Sequence, residues 1–474
     1  MPAETLHAPG RSRWRAIEPP ASDALDLLAR WPEHTPLAAL CSGDPSGADS
    51  RWSLFARISQ DPVATLDTGI DADWRPKRSD QCLFQQESLD EGDLPPFGPG
   101  WIVALGYGLG HQIEPASRGR GRGAGASDGS GVADPLVVRL RIERALAFDQ
   151  VAGRWWSLGP GGEGGPGGEG GPGGDEGQNA WVPPLVRASE AGFRIGAVRS
   201  RVGREAYVSM VERARGLIRA GDVYQVNLAH TLGAAFEGSA RALFRELLEG
   251  ARPWHGAYLE FDDARGERVS IASASPELFL RYDPRTRRVV TRPMKGTRSL
   301  ARAGAREDLD GSAKDRAELA MIIDLMRNDL GRTCEMGSVR VDDARRIERH
   351  ASSDGLGLLQ GTGTVSGTLR ADRSALELVR DAFPPGSVTG APKIRAMQII
   401  DELESDRRGF YCGSLGFVGD DGSLHLNVAI RTATIRGGTL TYPVGAGIVA
   451  DSDPASEWDE TLAKAWPLMR LAEG

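Results

Sequence analysis

The stretch Arg292-Pro293-Met294-Lys295-Gly296-Thr297 places a lysine between a strand-like run, residues 287–291, and a glycine turn. Pro293 cannot donate a hydrogen bond to a sheet, and Gly296 allows the backbone to bend tightly. We therefore expect Lys295 to lie at the rim of a sheet, where a short connection directs its amine into a cleft. The hexapeptide alone favours an ordinary surface lysine, so the residues around it must decide.

Length and composition indicate a cytoplasmic protein with a sizeable core. The chain has 474 residues, of which 40% are hydrophobic, and a formal net charge of −8 with a pI of about 5.6. This acidity argues against a nucleic-acid partner. The cysteines, at positions 41, 82, 334 and 412, show neither metal-site spacing nor a disulfide framework. The N-terminus lacks the apolar core of a signal peptide, and no apolar run approaches the roughly 18 residues that span a bilayer, so we expect no membrane contact.

Antiparallel strands mixed with helices, without the βαβ alternation of dinucleotide-binding folds, predict an α+β fold. Residues 1–190 form an N-terminal region of short strands, with a Gly-rich insertion at about 159–177 that we expect to be disordered. Residues 200–474 form a second domain. Its predicted helices cover residues 205–220, 239–249, 315–330, 374–381, 393–404 and 455–471. Its predicted strands cover residues 223–228, 257–261, 268–274, 278–282, 287–291, 411–418, 424–435 and 439–444.

Two of these helices carry carboxylates at spacings that place them on one face. Asp315 and Glu318 are three residues apart, and Glu457, Glu460 and Lys464 share a face of the last helix. If the helices oppose each other across a cleft, the carboxylates meet without His or Cys, and oxygen-only ligation suits Mg²⁺. The alternative is two solvated helix faces, with Glu460 and Lys464 as an ordinary ion pair.

Three further stretches are suited to binding an anion. Residues 385–393 form a Gly/Ser/Thr loop that enters a helix, whose N–H groups and dipole favour a carboxylate or phosphate. Gly445-Ala446-Gly447 lets the backbone come close to a ligand. Arg431 is predicted on a strand, where its guanidinium could bind a carboxylate through two parallel hydrogen bonds. A capped helix start, a packed sheet bend and a surface arginine are the alternatives.

Seven motifs occur in a fixed order along the second domain. They are Gly221-Asp222-Val223-Tyr224-Gln225-Val226-Asn227-Leu228, Ser275-Pro276-Glu277, Pro293-Met294-Lys295-Gly296-Thr297, the segment 324–332 (DLMRNDLGR), Thr389-Gly390-Ala391-Pro392-Lys393, Ile430-Arg431-Thr432 and the segment 445–452 (GAGIVADS). Together they resemble the chorismate-utilising enzymes, which include anthranilate, aminodeoxychorismate, isochorismate and salicylate synthases. The resemblance is strong over about residues 200–470 and makes the second domain the chorismate-binding, catalytic one.

The resemblance implies a fold and a set of roles. The fold is that of anthranilate synthase component I: two large, mostly antiparallel sheets packed in a sandwich with helices outside. Mg²⁺ is the implied cofactor, and Asp315 supports its ligands from behind. Glu277 is the implied general acid that protonates the departing C4 hydroxyl. The implied Mg²⁺ ligands are Glu318, Glu457 and Glu460. The implied substrate-binding residues are Arg431, Tyr411, Gly445, Gly447, Lys464, Ser387, Thr389 and Gln225.

Two positions separate the members of the family. Water-using members carry a lysine base where this chain has Gln225, which favours ammonia as the nucleophile. Lys295 replaces an alanine of most members and marks those that aminate chorismate at C4. The resemblance therefore implies amination to 4-amino-4-deoxychorismate for 4-aminobenzoate and folate synthesis, through a covalent bond to a neutral Lys295. The length is used up by the synthase, so we expect a separate glutamine amidotransferase subunit to supply the ammonia.

One departure bears on the product. Relatives carry a histidine in a His-Leu-Val-Ser run where this chain has Gln360. In relatives this histidine lies near the leaving group, so its absence makes elimination of pyruvate, and hence anthranilate as the product, a weaker expectation. The alternatives are an anthranilate synthase large subunit and, in a different class, a catalytically silent partner of an amidotransferase.

Overall fold

The structure, a computed structural model, describes residues 13–43, 51–58, 63–64, 94–119, 135–159, 181–187, 191–263, 265–350 and 357–472. The predicted disordered insertion at 159–177 lies, apart from its first residue, outside the described residues.

Ten α-helices are present in the described residues, most of them in the second half of the chain. They are α1 (Ala24–Arg30), α2 (Leu109–Ile113), α3 (Arg204–Arg219), α4 (Ala240–Ala251), α5 (Ala305–Gly311), α6 (Ala313–Gly331), α7 (Ala375–Ala382), α8 (Lys393–Leu403), α9 (Pro454–Lys464) and α10 (Trp466–Ala472). Within the described part of the chain, no helix is long and apolar enough to cross a membrane.

The strands are distributed along the whole described chain. They are β1 (Arg13–Ile17), β2 (Leu37–Cys41), β3 (Trp52–Ile58), β4 (Val63–Ala64), β5 (Gly100–Leu105), β6 (Val137–Asp149), β7 (Arg154–Gly159), β8 (Phe193–Ile195), β9 (Arg199–Ser200), β10 (Gln225–Gly238), β11 (Gly256–Asp262), β12 (Arg268–Ser273), β13 (Leu278–Asp283), β14 (Arg288–Arg292), β15 (Met294–Ser299), β16 (Arg340–His350), β17 (Leu358–Thr368), β18 (Gly390–Ala391), β19 (Ser414–Gly419), β20 (Leu424–Asn427), β21 (Thr432–Arg436) and β22 (Thr439–Ile448).

These strands form two large antiparallel sheets that share β6. The first runs in the order β1–β7–β6–β3–β2–β11–β12–β21–β22–β10. The second runs β6–β5–β19–β20–β13–β14–β17, and β15 and β16 also pair with β17. Strands from both predicted domains pair within each sheet, while the boundary near residues 190–200 stays a prediction.

The core confirms the predicted α+β sandwich. Ala38, Leu259 and Ile271 of the first sheet share one buried cluster with Ile102 and Leu415 of the second, so the sheets pack face to face. A second buried cluster joins the outer face of the first sheet to α1, α4 and α10. The helices therefore lie outside the sheets, as predicted.

Helix α6 shows how the sequence places functional side chains. Ser312 caps its start, because the serine hydroxyl accepts the Asp315 N–H at 3.1 Å. The positions predicted to face inward, 319, 322, 323 and 326, are buried. With its apolar stripe packed on the core, α6 leaves Asp315 and Glu318 on the side that meets β15.

Three local predictions are wrong. Lys295 lies inside a strand, β15, and not in a turn after a strand, because β17 supplies the pairing partner. The predicted strand 424–435 is interrupted at residues 428–431, so Arg431 lies on a loop with φ of 51° and not on a strand. The predicted final helix 455–471 is two helices, α9 and α10, separated at Ala465.

Candidate active site

Lys295 is held close to the start of α6 by the geometry of Gly296. The register between β15 and β17 shifts at Gly296, whose φ of 79° favours glycine. A Cβ at this position would lie 2.8 Å from Cγ of Asp315, so only glycine lets the strand pass this close to α6. The result is a Lys295 Nζ that lies 3.8 Å from Oε2 of Glu318, with both side chains largely buried.

A second close approach brings β22 and β10 to the same amine. A Cβ at Gly447 would lie 2.8 Å from Nε2 of Gln225 and 3.0 Å from Nζ of Lys295. Lys295, Gln225 and Gly447 therefore converge, as the sequence predicted. A side chain at position 447 would collide with the Gln225 amide and the Lys295 amine, so only glycine lets the three residues approach this closely.

The surroundings of Lys295 favour its neutral form. Burial lowers the pKa of Lys295, and the nearby charge of Lys464 lowers it further. The carboxylates of Glu318 and Glu277 act in the opposite direction without cancelling these effects. A neutral lysine amine is a nucleophile, so this environment suits covalent chemistry at Nζ.

Glu277 lies beside Lys295 as a carboxyl that can hold a proton near neutral pH. Its side chain is buried, and the Ser387 hydroxyl donates to its Oε1 at 2.6 Å. Burial raises the pKa of Glu277 to about 7, against the effects of Ser387 and of the Lys295 charge. A carboxyl with this pKa can donate a proton near neutral pH.

The loop that carries Ser387 is fastened to the start of β10. Residues Gly386–Val388 form a 3₁₀ turn, and β18 pairs with Gln225 and Val226. The Thr389 carbonyl accepts the Asn227 N–H at 2.9 Å, while the Thr389 hydroxyl donates to the Pro385 carbonyl at 2.8 Å. Ser387 is thereby placed on Glu277, whereas the Thr389 hydroxyl is used within the loop. Ligand binding by either residue stays a prediction.

The predicted acidic residues of α6 and α9 face one shared space. The Lys314 amine lies between them, 3.9 Å from Oε1 of Glu318 and 3.7 Å from Oε1 of Glu457. Lys464 contacts Glu460 at 2.7 Å. Burial raises the pKa of Glu457, and the charge of Glu460 adds to this effect. The two helices therefore oppose each other, which was one of the two arrangements that the spacing left open.

The acidic side chains of α6 and α9 provide only carboxylate oxygens as possible metal ligands, and such ligands suit Mg²⁺. Among the described residues, however, no group of three His, Cys, Asp or Glu side chains is arranged to hold a metal ion as it stands. Lysine amines contact these carboxylates instead, as positive charges in the position where a cation would bind. Ligation by Glu318, Glu457 and Glu460 stays a prediction.

Three of the predicted substrate-binding residues, Gly445, Tyr411 and Lys464, lie together next to the acidic group. A Cβ at Gly445 would lie 2.8 Å from the Tyr411 hydroxyl oxygen, and Lys464 donates to the Gly445 carbonyl at 2.9 Å. Arg431 is partly buried, and in the described part of the chain its guanidinium has neither a hydrogen-bond acceptor nor an acidic partner. Burial lowers the pKa of Arg431. A strained, uncompensated arginine of this kind is expected where an anionic ligand binds.

Sequence reasoning did not single out Asn227 or the pair Glu404 and Arg408. Asn227 follows Gln225 by two residues on β10, and alternate polar residues in an apolar strand were the available signal. Arg408 bonds to Glu404 at 2.6 Å, to the Val388 carbonyl at 3.0 Å and to the Asn227 carbonyl at 2.7 Å. This pair therefore supports both the Ser387 loop and β10 from behind.

Gln360, for which the resemblance implies a histidine in other family members, also lies next to β15. It lies on β17 opposite Thr297, and its amide nitrogen is 3.4 Å from the Thr297 hydroxyl oxygen. Its amide oxygen is buried and lacks a partner among the described residues. Unlike histidine, an amide at this position cannot carry a proton at neutral pH.

Known proteins share these features. The sequence profile of the family described as chorismate binding enzyme matches residues 174–470. Anthranilate synthase component 1 of Aquifex aeolicus is 40% identical over 280 residues, which are 58% of this chain and 54% of that protein. Aminodeoxychorismate synthase component 1 of Escherichia coli is 32% identical over 475 residues, which are 95% of this chain and 96% of that protein.

The fold agrees with these matches. The crystal structure of anthranilate synthase component I from Streptococcus pneumoniae superposes with a TM-score of 0.66 at 25% identity, covering 89% of this chain and 92% of that one. The chain thus spans about half the length of the Aquifex relative and nearly all of the Escherichia coli relative. The profile match and the shared fold show that this chain belongs to the family of chorismate binding enzymes.

Proposed function

We propose that this chain aminates chorismate at C4 with ammonia and releases 4-amino-4-deoxychorismate. The observation that supports this most is the buried amine of Lys295, which lies 3.8 Å from Glu318 and beside Gln225 and Gly447. A relative named aminodeoxychorismate synthase component 1 matches 95% of the chain. The set of side chains around the amine suits two successive displacements on one bound ring.

In the first displacement the Lys295 nitrogen forms a bond to C2 of chorismate. Both conjugated ring double bonds shift, the bond from C4 to the hydroxyl oxygen breaks, and this oxygen takes the proton of Glu277 and leaves as water. Glu277 can supply that proton because burial raises its pKa to about 7. The Ser387 hydroxyl, 2.6 Å from Glu277, then stabilises the carboxylate that remains.

In the second displacement ammonia forms a bond to C4. Both ring double bonds shift back, and the bond between C2 and the Lys295 nitrogen breaks. The new ammonium group at C4 then returns a proton to Glu277. The two successive displacements place nitrogen at C4 with the configuration that the oxygen had. A single displacement at C4 would not easily retain this configuration. Gln225 contains no base, and ammonia needs none.

The chorismate carboxylates would bind at the two ends of the cleft. Arg431 and Tyr411 would hold one carboxylate through positive charge and a hydroxyl, and Lys464, which contacts both Glu460 and the Gly445 carbonyl, would lie between the two ends. At the other end Glu318, Glu457 and Glu460 would hold Mg²⁺, with Lys314 moving off Glu318 and Glu457. When bound, Mg²⁺ supplies positive charge for the ring carboxylate and orients the ring.

The nitrogen source is expected to be a separate glutamine amidotransferase subunit, giving a heterodimer in the cytoplasm that serves 4-aminobenzoate and folate synthesis. The name of the Escherichia coli relative, component 1, supports a second component. Glutamine should therefore support the isolated chain far less well than ammonia does. Equal rates with both would reject the separate subunit.

Anthranilate synthase is the second candidate, because the Aquifex relative carries that name at 40% identity. Mass spectrometry of the products from purified chain, chorismate, Mg²⁺ and an ammonium salt separates the two. We expect 4-amino-4-deoxychorismate. Anthranilate, isochorismate or salicylate as the main product would overturn the proposal, and omitting Mg²⁺ should abolish turnover.

A further inference from the structure

Strand β10 carries two buried amides on the face that lines the cleft. Gln225 and Asn227 are two residues apart, so they point to the same side, while Val226 and Leu228 point into the apolar core. Gln225 is 0% exposed and Asn227 6%. Among the described residues, both amide atoms of Gln225 and the amide nitrogen of Asn227 lack a hydrogen-bond partner.

The position of Asn227 lies between the two ends of the proposed site. On one side, Gln225 lies beside Lys295. On the other side, a Cβ at Gly445 would lie 3.1 Å from the Ala229 Cβ and 2.8 Å from the Tyr411 hydroxyl oxygen. Directly opposite Asn227 across the strand pair is Gly447, which has no side chain to occupy the space in front of the amide.

Both backbone polar groups of Asn227 are hydrogen-bonded, whereas its side-chain nitrogen has no partner among the described residues. Its N–H donates to the Thr389 carbonyl at 2.9 Å, and its carbonyl accepts from Arg408 at 2.7 Å. A buried donor left without an acceptor destabilises a fold. The unpaired amide nitrogen of Asn227, held at a rigid position, therefore points to an acceptor that the described chain does not supply.

Asn427 shows what this chain does with a structural amide. It is equally buried, at 2% exposed, but its nitrogen donates to the His255 carbonyl at 2.8 Å. Its oxygen accepts the Leu415 N–H at 2.9 Å. The contrast separates an amide that holds the fold together from one that is open to a ligand.

We propose that Asn227 is a substrate-contacting residue whose amide nitrogen donates to an oxygen of bound chorismate between Lys295 and Tyr411. The inference rests on the proposed function only in taking chorismate as the ligand. The orphan atom is a donor and so requires an acceptor, and every acceptor that chorismate offers is an oxygen. A carboxylate, ether or hydroxyl oxygen of the bound ring fits this requirement.

The test uses Asn227→Leu, which keeps the size of the side chain and removes its polar atoms, with Asn427→Leu as the matched control. Thermal unfolding is measured without ligand, and chorismate affinity by equilibrium dialysis with Mg²⁺ but without ammonia. Because an unpaired buried donor disappears, Asn227→Leu should unfold at an unchanged or higher temperature, while its affinity for chorismate falls about 10-fold. Asn427→Leu should unfold several degrees lower with unchanged affinity.

The opposite pattern, with lower unfolding temperature and unchanged affinity for Asn227→Leu, would show a structural residue and overturn the inference. Asn227→Asp provides a second check, since it keeps the shape but replaces the donor with an anionic acceptor. Its chorismate affinity should fall by more than that of Asn227→Leu, and equal affinity to the unsubstituted chain would also overturn the inference. If the unsubstituted chain binds chorismate but makes anthranilate, the proposed function fails while the role of Asn227 stands. No chorismate binding at all would overturn both.

Discussion

The cleft and the scaffold behind it treat buried polar groups in opposite ways. In the scaffold, the buried Arg408 bonds to Glu404 and to two carbonyls, and the equally buried Arg241 bonds to Glu260 and to the carbonyls of Pro32 and Thr35. In the cleft, the described contacts leave the amides of Gln225 and Asn227 and the guanidinium of Arg431 without partners.

This difference locates the site independently of sequence motifs. A buried polar group without a partner is unfavourable, so a fold keeps such groups only where a ligand completes their bonding. The unpartnered amides of Gln225 and Asn227 lie on β10 beside Lys295, and the fully bonded Arg408 supports the same strand through the Asn227 carbonyl. Substitutions in the cleft should therefore change activity more than stability, and substitutions in the scaffold the reverse.

Lys295→Ala should give the largest effect on activity. Loss of the nucleophile should lower C4 amination about 10³-fold, or roughly 4 kcal/mol in the barrier. The rate is measured by product analysis with ammonia kept limiting, because excess ammonia could enter the space left by the side chain. Thermal unfolding should be unchanged or occur at a higher temperature, since a buried amine is removed. Unchanged amination at limiting ammonia would remove Lys295 from the mechanism.

Arg408→Met and Arg241→Met should have the largest effects on stability. Each leaves a buried glutamate without its cation, which should lower the free energy of unfolding by about 3–5 kcal/mol in urea titrations. Only Arg408 also supports Val388 and Asn227. Arg408→Met should therefore lower kcat/KM of the folded enzyme about 10-fold, while Arg241→Met leaves it unchanged. Equal kcat/KM for both variants would show that the two pairs are only structural.

Arg431→Met should weaken substrate binding without weakening the fold. A charged hydrogen bond to a carboxylate contributes about 1.5–3 kcal/mol, so KM for chorismate should rise roughly 10- to 150-fold. The unfolding temperature should stay the same or rise, because an uncompensated cation is removed. A fall in unfolding temperature with an unchanged KM would place Arg431 in the scaffold.

The sequence predicted the fold class and the position of some cleft residues, and it missed others for physical reasons. Local signals such as the 3.6-residue period of α6 were sufficient to place Glu318. Lys295 was misplaced into a turn because the partner strand, β17, lies more than 60 residues further along the chain. The left-handed φ of Arg431 is imposed by tertiary packing, which no local pattern contains.

The spacing of charged residues also did not predict which ion pairs are buried. Glu404 and Arg408 are four residues apart, as are Glu460 and Lys464. The first pair is 4% and 3% exposed, and the second 50% and 44%. Identical spacing therefore gives a structural pair behind the cleft in one case and a solvated pair at its mouth in the other. Only the packing around each helix distinguishes them.

Glu277 tests the comparison by pH, because it is a cleft residue with a partner, Ser387. If protonated Glu277 is the acid, the amination rate at saturating chorismate should fall about 10-fold per pH unit above about 7. Its folded pKa lies above the ordinary 4.5, so the stability that it contributes is complete below pH 4.5 and is lost as pH rises through 7. Glu277→Gln should react slowly at every pH and lose less stability than the unsubstituted chain between pH 5 and about 8. A variant with an unchanged alkaline limb in its rate profile would assign that limb to another group and leave Glu277 without the role of acid.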